Sequence, residues 1–168
     1  FKPKFKLESP RKDQNRVIYP ISGRDAAKVI TLGAVALKED ILLNRFQGDT
    51  VKFEYEIVLP DGLEVRLEKG GSLGFYGVDP KLLGNISTGT DSDAALLQKA
   101  RQSGEKNTLL FDTPPPYVRE TGKKVSKIKS HYELKGKNLT VITEGLKSAA
   151  YPLTIDPSVY VETASKLM

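Results

Sequence analysis

The chain contains no cysteine, no tryptophan, one methionine and one histidine among 168 residues. Without cysteine there is no disulfide framework, no thiolate zinc site and no cysteine nucleophile. With His131 alone there is no multi-histidine metal site, and the alternation puts His131 on a lysine-rich strand face as a surface histidine, so no Ser-His-Asp triad is argued. Long apolar runs are missing too. The longest nearly uncharged stretch, Val29 to Leu37, falls far short of the roughly 20 residues of a membrane helix. Hydrophobic residues make up 39% and charged residues 28%, the balance of a folded domain and not of a disordered chain. The one methionine is the last residue, Met168, and the chain opens on Phe1, so we expect a piece excised from a longer polypeptide.

What is present is alternation. Val51, Phe53, Tyr55, Ile57 and Leu59 alternate with Lys52, Glu54 and Glu56, the period of a half-buried antiparallel strand. Pro60-Asp61-Gly62 reads as a turn, Leu63 to Glu68 as a second alternating segment, Gly70-Gly71 as a hairpin turn, and Ser72 to Gly77 as a third strand. Residues 50–77 are therefore expected to form a three-stranded meander. Val29 to Leu37 reads as one buried strand, Ser22 to Asp25 as a turn, and Thr108 to Phe111 as a short strand before Pro114-Pro115-Pro116. Ile128, Ser130, Tyr132 and Leu134 face one way, against Lys127, Lys129, His131 and Glu133. Leu139, Val141 and Thr143 form the partner strand, which Gly145 ends. Asp91 and Asp93 offer caps for one short helix over about 91–103, inserted between strands.

Nine or ten short strands with one helix cannot make repeated βαβ units, so the expected fold is mainly β, an antiparallel β-sandwich. Residues 1–28 read as a basic lead-in, with Phe1, Phe5 and Leu7 alternating with lysines as an edge strand would. Residues 29–158 read as the sandwich module, and 159–168 as an exit segment toward a following domain.

The chain is net +5, but unevenly. Residues 1–16 carry six basic side chains against two acidic, and residues 121–137 six lysines against Glu133, whereas residues 38–93 carry six basic against eleven acidic. A basic stripe suits anionic polymers. It lacks the arginines and stacked aromatics of a nucleic-acid surface, and nucleic acid is not an expected partner. The glycines of Gly70 to Gly77 have strands on both sides and no following Lys-Ser/Thr, so they are not a phosphate loop. Glu54 with Glu56, and Glu64 with Glu68, are explained as polar alternates of strands rather than as a glycosidase pair, and no catalytic residue is assigned. Asp61, Asp79, Asp91, Asp93 and Asp156 fit no calcium loop. Calcium is the one cofactor considered, and none is assigned. Asn85-Ile-Ser87 and Asn138-Leu-Thr140 match the glycosylation tripeptide, which chance supplies readily. Residues offered to a ligand are the aromatics Tyr76, Tyr117 and Tyr132 and the lysines Lys123, Lys124, Lys127 and Lys129.

The C-terminal run Asn107 to Phe111, Tyr132-Glu-Leu134, Leu139-Thr-Val141 and Tyr151-Pro-Leu-Thr-Ile-Asp-Pro157 resembles a module repeated in very large secreted or cell-surface bacterial proteins. These include adhesin-like, RHS/YD-repeat and β-repeat proteins, whose modules close on a "YPLTIDP" signature. Lys38 to Ile41, Phe53 to Tyr55 and Leu67 to Phe75 resemble its earlier half. The resemblance implies a non-catalytic structural or adhesive module on the cell surface or outside the cell. It would space or present neighbouring domains of the same polypeptide, with no membrane insertion. The alternatives are a carbohydrate- or anionic-polymer-binding module of the same fold, touching a cell-surface polymer, and a hydrolase with paired carboxylates.

Overall fold

A computed structural model describes residues 1–33, 37–60, 62–77, 108–123 and 125–157. Among these the chain is mainly β, in three sheets whose strands all pair antiparallel. The expected helix over 91–103 lies outside the described residues.

Thirteen strands are described. Four come from the first third: β1 (Lys2–Pro3), β2 (Arg11–Asp13), β3 (Arg16–Pro20) and β4 (Ala26–Leu32). Then follow β5 (Leu37–Leu43), β6 (Thr50–Glu56), β7 (Glu64–Leu67), β8 (Leu73–Gly77) and β9 (Thr108–Thr113). The last are β10 (Tyr117–Glu120), β11 (Lys129–Lys135), β12 (Asn138–Glu144) and β13 (Leu153–Asp156). One sheet is ordered β1-β6-β12-β11, the second β10-β13-β5-β4-β3-β2, and the third β7-β8-β9.

Strand β6 alternates as expected, burying Val51, Phe53 and Tyr55 and exposing Lys52 and Glu54. It does not open a meander. The Ile57 amide bonds the Lys137 carbonyl at 2.8 Å, which holds the chain along the four-stranded sheet, and β6 pairs with β1 and β12. The turn near Pro60 then carries the chain into another sheet. There β7 and β8 form the expected hairpin, with Gly71 at φ 83° and the Glu68 amide on the Ser72 carbonyl at 2.9 Å. Val29 to Leu37 is likewise not one strand. Leu32 pairs with Leu37, so the chain reverses between β4 and β5.

One buried cluster draws on all three sheets: Phe53, Tyr55 and Val141 from the first, Ile41, Leu43, Leu153 and Ile155 from the second, Leu73 and Phe75 from the third. Each such side chain taken fully from water is worth about 1.5–3 kcal/mol. Phe1, Phe5 and Leu7 pack onto this cluster, and the Phe5 ring stands edge-on to Phe53 and Tyr55 at 5.6 and 5.4 Å. Two charges share the apolar face. Lys28 lies on the side of β4 that bears Ala26, and Glu39 on the side of β5 that bears Ile41 and Leu43. Their ion pair spans 2.8 Å with each side chain under a tenth exposed. The Lys28 ammonium also lies 5.9 Å from the centre of the Tyr55 ring.

Strand β13 turns Leu153 and Ile155 inward and is not an edge strand. It sits between β10 and β5. The Asp156 carboxylate is wholly buried and accepts from the Lys38 ammonium at 2.7 Å.

Candidate functional site

The six-stranded sheet ends at β10 and the four-stranded sheet at β11. Residues 121–128 connect these two edge strands. Gly122, at φ 75°, turns the chain back so that the Lys123 amide meets the Glu120 carbonyl at 3.2 Å. The Glu120 carboxylate, 1% exposed, pins the connection. It accepts from the Lys123 ammonium, from the Ser126 hydroxyl at 2.7 Å and from the Ala150 amide at 2.7 Å. The Ser126 oxygen in turn accepts from the Ile128 amide at 3.1 Å. Burial alone would raise the Glu120 carboxyl. The hydrogen bonds from Lys123, Ala150 and Ser126 outweigh it and hold the group below the ordinary carboxylate range.

Between the two edges lies an open groove of about 710 Å³. Tyr117, Arg119 and Lys123 line one flank, Lys129, His131 and Glu144 the other, and Val125 and Ile128 add apolar wall. Of these cations Lys123 is paired with Glu120 and Arg119 with Asp40, and Glu144 adds a carboxylate on the far flank. Tyr117 is 43% exposed and presents its ring to the groove while its hydroxyl bonds Asp156, which is the first cause of its raised pKa. Val125 is 79% exposed. The arrangement offers a flat aromatic face, a water-facing apolar wall and positive charge.

Three of the seven residues offered by the sequence meet here: Tyr117, Lys123 and Lys129. Lys127 is exposed on the same connection without lining the groove, and Lys124 lies outside the described residues. Tyr76 stands on the three-stranded sheet, its hydroxyl on Glu68 at 2.7 Å and the Arg66 guanidinium 4.3 Å from its ring centre. Tyr132 is 3% exposed in the core, and its hydroxyl donates to the Pro157 carbonyl. It is a packing residue and not a surface for ligand, because position 132 falls on the inward face of β11 beside Leu139 and Val141.

The charged cluster behind Tyr117 could not be read from the sequence. Asp40 and Asp156 share the Lys38 ammonium at 2.9 and 2.7 Å, and Arg119 reaches them at 3.3 and 3.9 Å. Burial would lower the Lys38 ammonium, but hydrogen bonds to Asp156 and Asp40 raise it on balance. The two carboxylates thus lie between two cations. Their role is to fix β10, and so Tyr117 and Arg119, against β13 and β5. Among the described residues no group of three or more His, Asp or Glu side chains could hold a metal ion, and no helix is long and apolar enough to cross a membrane. No family model, curated protein or solved structure matches the chain.

Proposed function

We propose that this chain is a non-catalytic adhesive module of β-sandwich build that holds an acidic carbohydrate polymer in the groove between β10 and β11. What carries this reading is the company Tyr117 keeps: an exposed ring with Arg119, Lys123, Lys129 and His131 around it, Arg119 and Lys123 each also holding carboxylates of the chain, and Glu144 on the far flank. A sugar ring lies flat on such an aromatic face, and uronate carboxylates pair with the surrounding cations. The resemblance of the closing Tyr151 to Pro157 run to modules of large bacterial surface proteins supports a cell-surface or extracellular setting for this work. It also supports a role in spacing or presenting neighbouring domains, which a single core joining three sheets suits.

Calorimetric titration with polygalacturonate, neutral dextran and single-stranded DNA tests the proposal. We expect polygalacturonate to bind and dextran not to. Tyr117→Ala should weaken binding by about tenfold or more, as loss of an anchoring aromatic does. Raised salt should weaken it too, since exposed charge pairs are screened. Tighter binding of DNA than of polygalacturonate, or equal binding by the Tyr117→Ala and Lys129→Glu variants, would overturn the proposal.

A further inference from the structure

The groove does not stop at the edge of the four-stranded sheet. Lys129, in its wall, stands opposite Glu144, and Glu144 opposite Thr50. One row further in, His131, Ile142 and Lys52 stand in line across the same three strands. Side chains alternate along each strand, so these six positions share the outward face, while Val51, Phe53, Tyr132 and Val141 point to the core. Strands lie about 4.8 Å apart, so each row crosses about 10 Å.

At the far end Thr50 and Lys52 line a second cleft, of about 860 Å³. Arg24 and Asp25 enter it from the turn after β3, and Arg45 and Phe46 from the segment after β5. The ring of Phe46 is 51% exposed. Arg45 pairs with Asp25 at 2.7 Å yet leaves 77% of its side chain open. Arg24 donates to the Lys52 carbonyl at 3.1 Å and lies 5.0 Å over the Phe53 ring, which ties this cleft to the sheet it adjoins. The second cleft thus repeats the composition of the first: an exposed aromatic, several cations and one carboxylate. In the inner row, His131 and Lys52 are separated only by Ile142, which is itself buried, so no carboxylate interrupts it.

We infer that the two clefts are stations on one track across the outer face of the β6-β12-β11 sheet, and that the ligand is a linear polyanion long enough to occupy both. The inference rests on the proposed acidic-carbohydrate groove and adds to it a dependence on chain length. Two weak sites joined by one ligand bind more tightly than either alone, by about a hundredfold or more where geometry permits.

The experiment compares digalacturonate with polygalacturonate on the wild-type chain, on a double variant Arg45→Ala with Phe46→Ala, and on Lys52→Glu. All three altered side chains are exposed, so the fold should persist, which circular dichroism checks. We expect the polymer to bind the wild-type chain about a hundredfold more tightly than the disaccharide. Both variants should lose most of that advantage and the disaccharide site of the second cleft, while the β10–β11 groove keeps its own disaccharide affinity. Equal affinity for disaccharide and polymer, or variants that hold the polymer as well as the wild type does, would overturn the track and leave the groove standing. Absence of binding by either ligand would overturn both.

Discussion

Lys28 and Glu39 are charged residues at positions where the strands otherwise turn Ala26, Ile41 and Leu43 to the core. Removing one partner strands the other charge beside Tyr55, so Glu39→Gln or Lys28→Met alone should cost about 3–5 kcal/mol in urea unfolding. Combining Lys28→Met with Glu39→Leu should restore most of that loss, because two apolar side chains of similar size fill the same space. Unequal recovery in the double-mutant cycle would show that the pair does more than satisfy itself. Glu120 makes a second residue-scale prediction. Its carboxyl lies below the ordinary range in the folded chain, so its contribution is complete above the unfolded value, about 4.3, and is lost as pH falls through the folded one. Thermal stability should therefore begin to fall as pH drops below about 5, and Glu120→Gln should flatten that fall while lowering stability at neutral pH. None of these roles is visible in the sequence. Alternation sorts residues by type, and a Lys or Glu on a strand reads as outward until its partner across the sheet is known.

At the scale of elements, many strands and the local pairings β7-β8 and β11-β12 were legible, and the long-range partners were not. Val51, Phe53 and Tyr55 announce β6 by period alone, and Gly70-Gly71 announces the β7-β8 hairpin, since both signals are local. Whether β6 continues into β7 depends on where the Ile57 amide finds its acceptor. It finds Lys137, far along the chain, which no local pattern encodes. The same holds for β13, whose two neighbours, β10 and β5, lie well before it in the chain. Its interior place has a measurable consequence. Ile155 is wholly buried between two strands, and Ile155→Ala should cost about 2–5 kcal/mol. Val65, half-buried on the outer strand β7, should cost distinctly less when changed to Ala. Equilibrium unfolding of the two variants compares them directly.

For the whole molecule, the fold gathers only some of the residues that the sequence singled out. The lysines of 121–137 and Tyr117 were singled out by charge and exposure, and the fold brings Tyr117, Lys123 and Lys129 to one groove. Arg119 joins them without having been considered, because a lone arginine in Tyr117-Val-Arg-Glu120 gives no signal until β10 becomes a sheet edge. Tyr76 and Tyr132 were chosen for their rings, yet one lies on another sheet and the other in the core. The second cleft was hidden for a similar reason: Arg24, Arg45 and Lys52 are separated in sequence and meet only across the sheets. The central claim is that an acidic polysaccharide lies in the β10–β11 groove. The most direct measurement is amide chemical-shift mapping by NMR during titration with polygalacturonate. Saturable shifts are expected at Tyr117, Arg119, Lys129 and His131, reversed by salt, with Tyr76 and the core strand around Leu153 unmoved. Shifts confined to other surfaces, or none at saturating polymer, would contradict the claim.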